Sequence, residues 1–239
     1  MDNRTETSPK SAIVIGAGIA GVSTALYLQR DGHRVTILDP EPPGSMTSYG
    51  NAGLIATYAT IPTATLDILM RVPKMLVDPM GPLSLRWSYL PQLTPWLLSL
   101  VRNSAPECIR RNATVKSVLL NRAWDDFRPL IDQTGAENLI YAGGMLRVFR
   151  TDSAFEEMKA REINLMDLTG RSYELLNTDE IRQLEPVLEP LFPHAIFSTD
   201  SRNIRNPGRL TEVFAQNFME RGGTLKPEAV TGLSGTSEG

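Results

Sequence analysis

Three glycines near the start of the chain stand at the spacing of a phosphate-binding turn. Gly16, Gly18 and Gly21 directly follow the apolar run from Ser11 to Ile15. Gly16 would permit a tight turn, Gly18 would let a pyrophosphate approach bare backbone, and Gly21 would let a helix pack closely on the strand. The N-terminus of that helix offers unpaired N–H groups and a positive dipole end to phosphates. The segment therefore predicts a strand, a glycine turn and a helix that together bind a dinucleotide.

An acidic residue follows at the distance expected for the ribose of a dinucleotide. Gly32 would end the helix, and Asp39 would end a second strand over Val35 to Leu38. A carboxylate at this place accepts hydrogen bonds from ribose hydroxyls and repels a 2′-phosphate, which argues against NADP. The alternative, a signal peptide or membrane helix over Ala12 to Leu28, fits poorly because acidic residues precede the segment and glycines interrupt it.

Composition and charge fit a globular protein of one large or two small domains. Of the 239 residues, 41% are hydrophobic and 21% charged, and the net charge of −3 gives no indication of a nucleic-acid partner. A single cysteine, Cys108, excludes an internal disulfide framework and favours a reducing compartment, which predicts a cytoplasmic protein. With one cysteine and two histidines in the chain, no metal site is predicted.

The region from 61 to 103 is apolar, but prolines interrupt it repeatedly. It therefore contains no span long enough for a transmembrane helix. It predicts short helices near 64–76, 84–90 and 95–102 instead. Its tryptophan and leucine side chains between Trp87 and Leu100 are expected to pack in a core, with peripheral contact to the inner face of a membrane as the alternative.

A longer helix is predicted from 108 to 133, followed by mixed strands and helices. The expected buried stripe of the long helix is Val115, Leu119, Ala123, Phe127 and Leu130. Gly143-Gly144 lies between two apolar runs, which predicts a β-hairpin. Helix-start signals follow at Ser153-x-x-Glu156, Asn177-x-x-Glu180 and Asn206-Pro207. Further strands are expected at 224–226 and 228–233.

These elements predict an α/β fold with two parts. Residues 1–60 and 201–239 are expected to form an incomplete Rossmann-like dinucleotide-binding domain. Residues 61–200 are expected to form an inserted α+β substrate domain. A doubly wound sheet needs more strands than the first of these parts offers, so the dinucleotide-binding domain is predicted to be partial.

Several stretches, in the same order along the chain, resemble the FAD-dependent amino-acid oxidoreductases. This family includes D-amino-acid dehydrogenases and glycine and sarcosine oxidases, and the resemblance is greatest to the bacterial D-amino-acid dehydrogenases. It covers essentially the whole chain. Besides the glycine turn and Asp39, the stretches are TSYGNAG at 47–53, DPMGPLSLRWSYLPQLTPWL at 78–97, GGMLRVFRT at 143–151, EPVL at 185–188 and NPGRLTEVFAQNFMERGG at 206–223.

The resemblance implies a non-covalently bound FAD. Its adenosine diphosphate would lie on the glycine turn, with Asp39 on the ribose, and the loop 45–54 would run beside the ribityl chain and the flavin. That loop starts at the carboxyl end of the second strand, where ligands lie in open α/β sheets; an ordinary solvated loop is the alternative. The expected cofactor-binding residues are Gly16, Gly18, Ile19, Ala20, Gly21, Asp39, Ser48, Asn51, Ala52, Gly53 and Leu54.

The resemblance also implies a reaction. A hydride would pass from the Cα of a D-amino acid or related amine to the flavin, and the resulting imine would hydrolyse to a 2-oxo acid. The dehydrogenase members pass electrons to a respiratory acceptor. Members of the family continue for roughly as long again, so we expect this chain alone to be catalytically impaired. The alternatives are a non-catalytic dinucleotide-binding fragment, completed by another chain, and a nicotinamide-dependent dehydrogenase, against which the stretch 78–97 argues.

The residues that would act on the substrate are less clearly marked. Arg147 and Arg150 follow Gly144 on a predicted strand and are the cationic candidates for gripping a carboxylate, with a solvated strand face as the alternative. Tyr58 is a weaker candidate for substrate contact. No acid–base pair stands out, so no catalytic residue is predicted.

Overall fold

The computed structural model describes residues 10–62, 65–78, 80 and 83–235. The chain divides into two compact units. Unit 1 consists of Met1–Ile55, Asp125–Gly143 and Arg202–Gly239, and unit 2 consists of Ala56–Trp124 and Gly144–Ser201. Residues 125–143, which the sequence analysis assigned to the substrate domain, therefore cluster with unit 1.

The described residues form nine strands and seven α-helices. The strands are β1 (Ser11–Ile15), β2 (Arg34–Leu38), β3 (Leu54–Ile55), β4 (Ile140–Tyr141), β5 (Met145–Phe149), β6 (Tyr173–Asn177), β7 (His194–Ser198), β8 (Arg202–Ile204) and β9 (Thr224–Lys226). The helices are α1 (Ile19–Arg30), α2 (Leu66–Val77), α3 (Leu90–Asn103), α4 (Pro106–Thr134), α5 (Asp152–Leu168), α6 (Thr178–Leu184) and α7 (Pro207–Glu220). None of these helices combines the length and apolarity that a membrane crossing requires.

Unit 1 is built on a parallel sheet in the strand order β1, β2, β9. β1 pairs with β2 along its whole length, from Ser11 opposite Arg34 to Ile15 opposite Leu38. Helices α1 and α7 pack together, and their fully buried side chains share one core with β2: Val22, Leu26, Ile37, Leu210, Phe214 and Phe218. A second, antiparallel sheet in the order β3, β8, β4 completes the unit. The predicted βαβ arrangement is confirmed.

The predicted strand over 228–233 is wrong. The chain has no regular structure from Pro227 to Ser234, although β9 forms as predicted. The last backbone hydrogen bond between the end of β2 and β9 runs from the amide of Asp39 to the carbonyl of Lys226, at 3.2 Å. Because β2 ends there, a longer β9 would have no partner.

The long helix is confirmed, but its predicted buried stripe is partly wrong. Val115 and Leu119 are 61% and 73% exposed. The buried positions in this half of α4 are Ile109, Ala113 and Ser117, which recur every four residues on a neighbouring face. The C-terminal half behaves as predicted, because Phe127 and Leu130 pack in the core of unit 1.

Unit 2 contains an antiparallel sheet in the order β5, β7, β6. The predicted hairpin around Gly143-Gly144 is wrong, since β4 pairs with β8 whereas β5 pairs with β7 over five residues. Apolar residues of α5 pack with Ile196 of β7. The short α6 packs with β6 and β7 through Ile181.

Helix-start signals were right at two of three positions. Asn177 caps α6 and forms the predicted capping box with Glu180. Asn206 caps α7 ahead of a proline, as predicted. The box at Ser153 is wrong because Thr151 is the cap of α5, and its hydroxyl accepts the amide of Ala154. The helix expected near 84–90 is reduced to a single 3-10 turn over Trp87–Tyr89.

Candidate functional site

The glycine turn of unit 1 has a geometry that requires glycine at two of its positions. Gly16 has a φ of +102°, which side chains with a Cβ rarely adopt, and its amide donates to the carbonyl of Leu38 at 2.8 Å. A Cβ on Gly21 would lie 1.9 Å from the carbonyl oxygen of Gly16. The turn and the close packing of α1 on it therefore depend on these two glycines.

The N-terminus of α1 keeps backbone amides open beside Gly18. Gly18 is the N-cap and has an extended backbone, with φ −73° and ψ 174°. The amide of Ile19 donates to the buried hydroxyl of Ser48 at 2.9 Å. The amides of Ala20 and Gly21 have no acceptor among the residues that the structure describes. Open amides at a helix N-terminus, with the positive end of the helix dipole, are suited to a phosphate group.

Asp39 lies at the carboxyl end of β2, as predicted, and its carboxylate joins two backbone amides. Oδ2 accepts the amide of Ala17 at 2.6 Å, and Oδ1 accepts the amide of Glu41 at 2.9 Å. An ionised carboxylate has about four lone-pair sites, so each oxygen retains capacity for a ribose hydroxyl. A cavity of about 280 Å³ lies beside it and is also lined by Leu225 and Pro227.

The loop after Asp39 directs its polar groups largely at its own backbone. The side-chain oxygen of Asn51 accepts the amide of Gly53 at 2.8 Å, and its side-chain nitrogen donates to the carbonyl of Thr47 at 3.3 Å. Gly53 has a φ of +58°, and a Cβ there would lie 2.3 Å from the carbonyl oxygen of Ile204. Ala52 is exposed, and Leu54 begins β3. In this loop Asn51 and Gly53 fix the local conformation.

These features of unit 1 fit the adenosine diphosphate part of FAD. The open amides of α1 match a diphosphate, and Gly18 presents no side chain between them and a ligand. Asp39 matches a ribose, and the adjoining cavity offers space for a base. The residues present therefore fit the adenosine diphosphate part of an adenine dinucleotide.

In unit 2 a cavity of about 340 Å³ brings together two of the three predicted substrate residues. Tyr58 and Arg147 both line it. Arg150 does not; its guanidinium lies over the ring of Phe192, 5.7 Å from the ring centre. The rest of the lining is mainly apolar, with Glu162 and Arg161 as its other charged residues.

Glu162 lies between the two arginines of this cavity. Its Oε2 accepts from Arg147 Nη2 at 2.6 Å, and its Oε1 accepts from Arg161 Nη2 at 2.8 Å. The Glu162 side chain is 11% exposed, whereas those of Arg147 and Arg161 are 37% and 27% exposed, so the ion pairs are only partly shielded from water. Sequence reasoning missed Glu162. The signal was its place on the apolar face of α5, in line with Phe155, Met158 and Met166.

No group of histidine, cysteine and acidic side chains within the described residues is arranged to hold a metal ion. The tryptophans expected in a core are instead exposed: Trp87 is 70% and Trp96 59% accessible. The expectation of core packing is therefore wrong for these two side chains, and α3 as a whole has no buried residue.

Comparison with known proteins identifies relatives over most of the chain. Residues 11–239 match the family described as FAD dependent oxidoreductase. The D-amino-acid oxidase of Bradyrhizobium diazoefficiens is 35% identical over 223 residues, which are 92% of this chain and 52% of that protein. The D-amino acid dehydrogenase of Agrobacterium fabrum is 31% identical over 180 residues, covering 74% of this chain and 42% of that protein. The chain thus spans about half the length of the curated relatives it matches.

A solved structure shows the same fold. The L-amino acid deaminase from Proteus vulgaris has a TM-score of 0.62 at 15% identity, covering 98% of this chain and 43% of that protein. The family match extends over nearly all of the chain and includes the glycine turn, Asp39 and the cavity residues. The resemblance predicted from the sequence is therefore confirmed, and the chain belongs to the FAD-dependent oxidoreductase family.

Proposed function

We propose that the chain binds FAD through unit 1 and forms the N-terminal part of an enzyme that oxidises the Cα–N bond of a D-amino acid or related amine. The observation that carries this proposal is the N-terminus of α1, where the amides of Ala20 and Gly21 remain open beside Gly18. The names of the two curated relatives support the substrate class.

Each part of the unit 1 site has a distinct task in this proposal. The amides of Ala20 and Gly21 hold the diphosphate. The hydroxyl of Ser48, which already accepts the amide of Ile19, has its own proton available for a phosphate oxygen. Asp39 accepts the ribose hydroxyls and, through the amide of Ala17, keeps the turn in place. Asn51 and Gly53 shape the loop, so that Ala52 and Leu54 present backbone near the cofactor.

When bound, the flavin supplies the acceptor for the hydride that leaves Cα. The protein's part is to bind and orient the amine and to exclude water. Arg147 and Tyr58 are the residues we propose for substrate contact. Because the chain spans about half of its relatives, we propose that it is catalytically impaired by itself.

The electron acceptor of the whole enzyme is proposed to be a respiratory carrier at a membrane surface. One relative is named a dehydrogenase. The exposed side chains of Trp87, Trp96 and Val101 offer an apolar surface for peripheral contact with a membrane. Sedimentation with anionic lipid vesicles tests this contact, and a Trp87→Ser/Trp96→Ser variant should sediment less.

A purified, refolded chain loaded with excess FAD tests the main proposal. Gel filtration should leave a yellow protein with one FAD per chain. Its oxidation of D-alanine with an artificial electron acceptor should be slow or absent. A folded chain that takes up no FAD would contradict the proposal, and rapid turnover would contradict the predicted impairment.

The second candidate function, a dinucleotide-binding module completed by another chain, is favoured by strand β1. β1 is an edge strand of its sheet, and its side chains Ile13 and Ile15 are 67% and 55% exposed. An edge strand with apolar side chains is a template for further pairing. Mixing the FAD-loaded chain with the C-terminal half of the Bradyrhizobium relative distinguishes the two candidate functions. Turnover that appears only in the mixture, and is lost with Ile13→Glu, would favour completion by a partner.

A further inference from the structure

The loop that carries Ser48 lies with both of its ends on the start of α7. At one end, a Cβ on Gly44 would lie 2.8 Å from the carbonyl oxygen of Gly208. At the other end, the carbonyl of Gly53 accepts the amide of Ile204, and a Cβ on Gly53 would lie 2.3 Å from the Ile204 carbonyl oxygen. The two glycines of the loop have a positive φ, +75° and +58°. The loop therefore approaches α7 more closely than a residue with a side chain allows.

The start of α7 is well fixed against this loop. Asn206 caps the helix by accepting the amide of Arg209 at 2.9 Å, and Leu210 is fully buried in the core of unit 1. Gly208 is buried in the first turn. The ring of Tyr49 lies against it, since a Cβ on Gly208 would be 3.1 Å from Cδ2 of Tyr49. Because the turn is capped and packed in the core, the loop and not the helix should move when their contact is disturbed.

The same loop is attached to the glycine turn and to α1. The amide of Gly44 donates to the carbonyl of Ala17 at 3.2 Å. Further along the loop, the hydroxyl of Ser48 accepts the amide of Ile19 at 2.9 Å, and Ser48 is buried. Hydrogen bonds of this kind require a distance of about 2.7–3.2 Å. A small shift of the loop away from α7 would therefore break the bond from Ile19 to Ser48.

We infer that Gly44 is a positioning residue for the phosphate site. Its bare backbone lets the loop lie on α7, and the loop in that position holds the hydroxyl of Ser48 against the amide of Ile19. The placement of Ser48 is a property of the chain without a cofactor. Its effect on FAD, through the hydroxyl proton offered to a phosphate oxygen, rests on the proposed function.

Hydrogen exchange of the Ile19 amide, measured by NMR on the FAD-free chain, tests the inference. Gly44→Ala should accelerate this exchange at least about tenfold, as should Ser48→Ala, because the amide loses its acceptor. Gly50→Ala is the matched control, since Gly50 has a φ of +67° in the same loop but open space where a Cβ would lie. It should leave the exchange of Ile19 unchanged, and the amide of Leu26 within α1 should exchange equally in all variants. Unchanged exchange of Ile19 in Gly44→Ala, or equal acceleration in Gly50→Ala, would overturn the inference.

A milder variant tests the same contact if Gly44→Ala does not fold. Tyr49→Ala removes the ring that lies against Gly208 and should accelerate exchange of the Ile19 amide about threefold. Met46→Ala shortens another exposed side chain of the loop, 65% accessible, and should have no effect. Equal exchange of Ile19 in these two variants would contradict the inference.

The affinity for FAD, measured by isothermal titration, shows whether Gly44 acts through Ser48. Gly44→Ala and Ser48→Ala should each weaken binding about threefold to tenfold. The double variant should bind no more weakly than Gly44→Ala, because both changes remove the same hydroxyl from the site. A double variant that shows the product of the two single losses would show general loosening and overturn the inference. A wild-type chain without affinity for FAD would contradict the proposed function, and the exchange of Ile19 would still decide the role of Gly44.

Discussion

In unit 1 the groups available to a ligand are backbone amides, whereas in unit 2 they are charged side chains. At the glycine turn, amides are either open or held by Asp39 and Ser48. In the cavity of unit 2, they are the guanidinium groups of Arg147 and Arg161, and the carboxylate of Glu162 holds part of both. The first site is therefore sensitive to the presence of a Cβ, and the second to charge.

The largest effect is expected at Gly21. A Cβ would lie 1.9 Å from the carbonyl oxygen of Gly16, so Gly21→Ala must displace backbone. We expect a loss of about 3 kcal/mol or more in the free energy of unfolding, measured by urea denaturation. Gly18→Ala is the matched control, because its Cβ would meet only the hydroxyl of Ser48 at 3.3 Å. That variant should stay within about 1 kcal/mol of the wild type. Equal stability of the two variants would contradict the backbone geometry described for the turn.

The partly buried ion pair of Arg147 and Glu162 in unit 2 should give the next largest effect. Arg147→Met leaves Glu162 with Arg161 alone. We expect the free energy of unfolding to fall by about 1–3 kcal/mol, which is less than for a fully buried pair. The double variant Arg147→Met/Glu162→Gln should recover part of this loss, because no buried charge is left unpaired. Urea denaturation of the four proteins of this cycle measures the coupling.

An exposed pair provides the comparison for this cycle. Arg209 and Glu212 are 54% and 53% exposed and lie 2.9 Å apart on α7. The corresponding double-mutant cycle on this pair should give a coupling energy of less than about 0.5 kcal/mol. Coupling of equal size in both pairs would show that burial of Glu162 does not strengthen its interactions.

A smaller effect is expected at the N-cap of helix α6 in unit 2. Asn177 caps α6 by accepting the amides of Asp179 and Glu180. Asn177→Ala should lower the free energy of unfolding by about 1 kcal/mol. Ser153→Ala should have almost no effect, because Thr151 caps α5 instead. A greater loss for Ser153→Ala than for Asn177→Ala would contradict this assignment of the caps.

The smallest effect concerns Tyr173 in unit 2. Burial, together with the hydrogen bond to the Asp167 carboxylate and its charge, raises the pKa of the Tyr173 phenol above 10.0. Because the folded-state pKa lies above the unfolded one, the stabilisation is fully present below pH 10.0 and is lost as the pH rises through the folded-state pKa. The wild type should therefore lose slightly more stability above pH 10.0 than Tyr173→Phe. An equal loss of stability in the two proteins, measured by urea denaturation, would contradict the raised pKa of Tyr173.

The site of unit 1 and the cavity of unit 2 also differ in how much of each the sequence predicts. The glycine turn, the place of Asp39 and the cap at Asn206 depend on residues close together in the chain, and their positions agree with the structure. The bond from Ala17 to Asp39 has no such local signal, since any acid at the strand end satisfies the pattern.

The cavity of unit 2 depends on residues that are far apart in sequence. Tyr58, Thr65, Arg147 and Glu162 come from a loop, a helix start, a strand and a helix. Thr65 carries no motif, and the sequence offers no information on which residues a tertiary fold brings beside it. The hairpin predicted at Gly143-Gly144 is wrong for the same reason, because the distant strand β7 pairs with β5 and the distant strand β8 pairs with β4.

The binding of FAD by the wild-type chain and by Gly18→Ala tests the central claim most directly. Isothermal titration should show one FAD per wild-type chain, competed by ADP but not by NADP. In Gly18→Ala the affinity should fall at least about tenfold, because the added methyl lies where the diphosphate approaches the amides. The contrary result would be a folded wild-type chain that binds no FAD, or equal affinity in the two proteins.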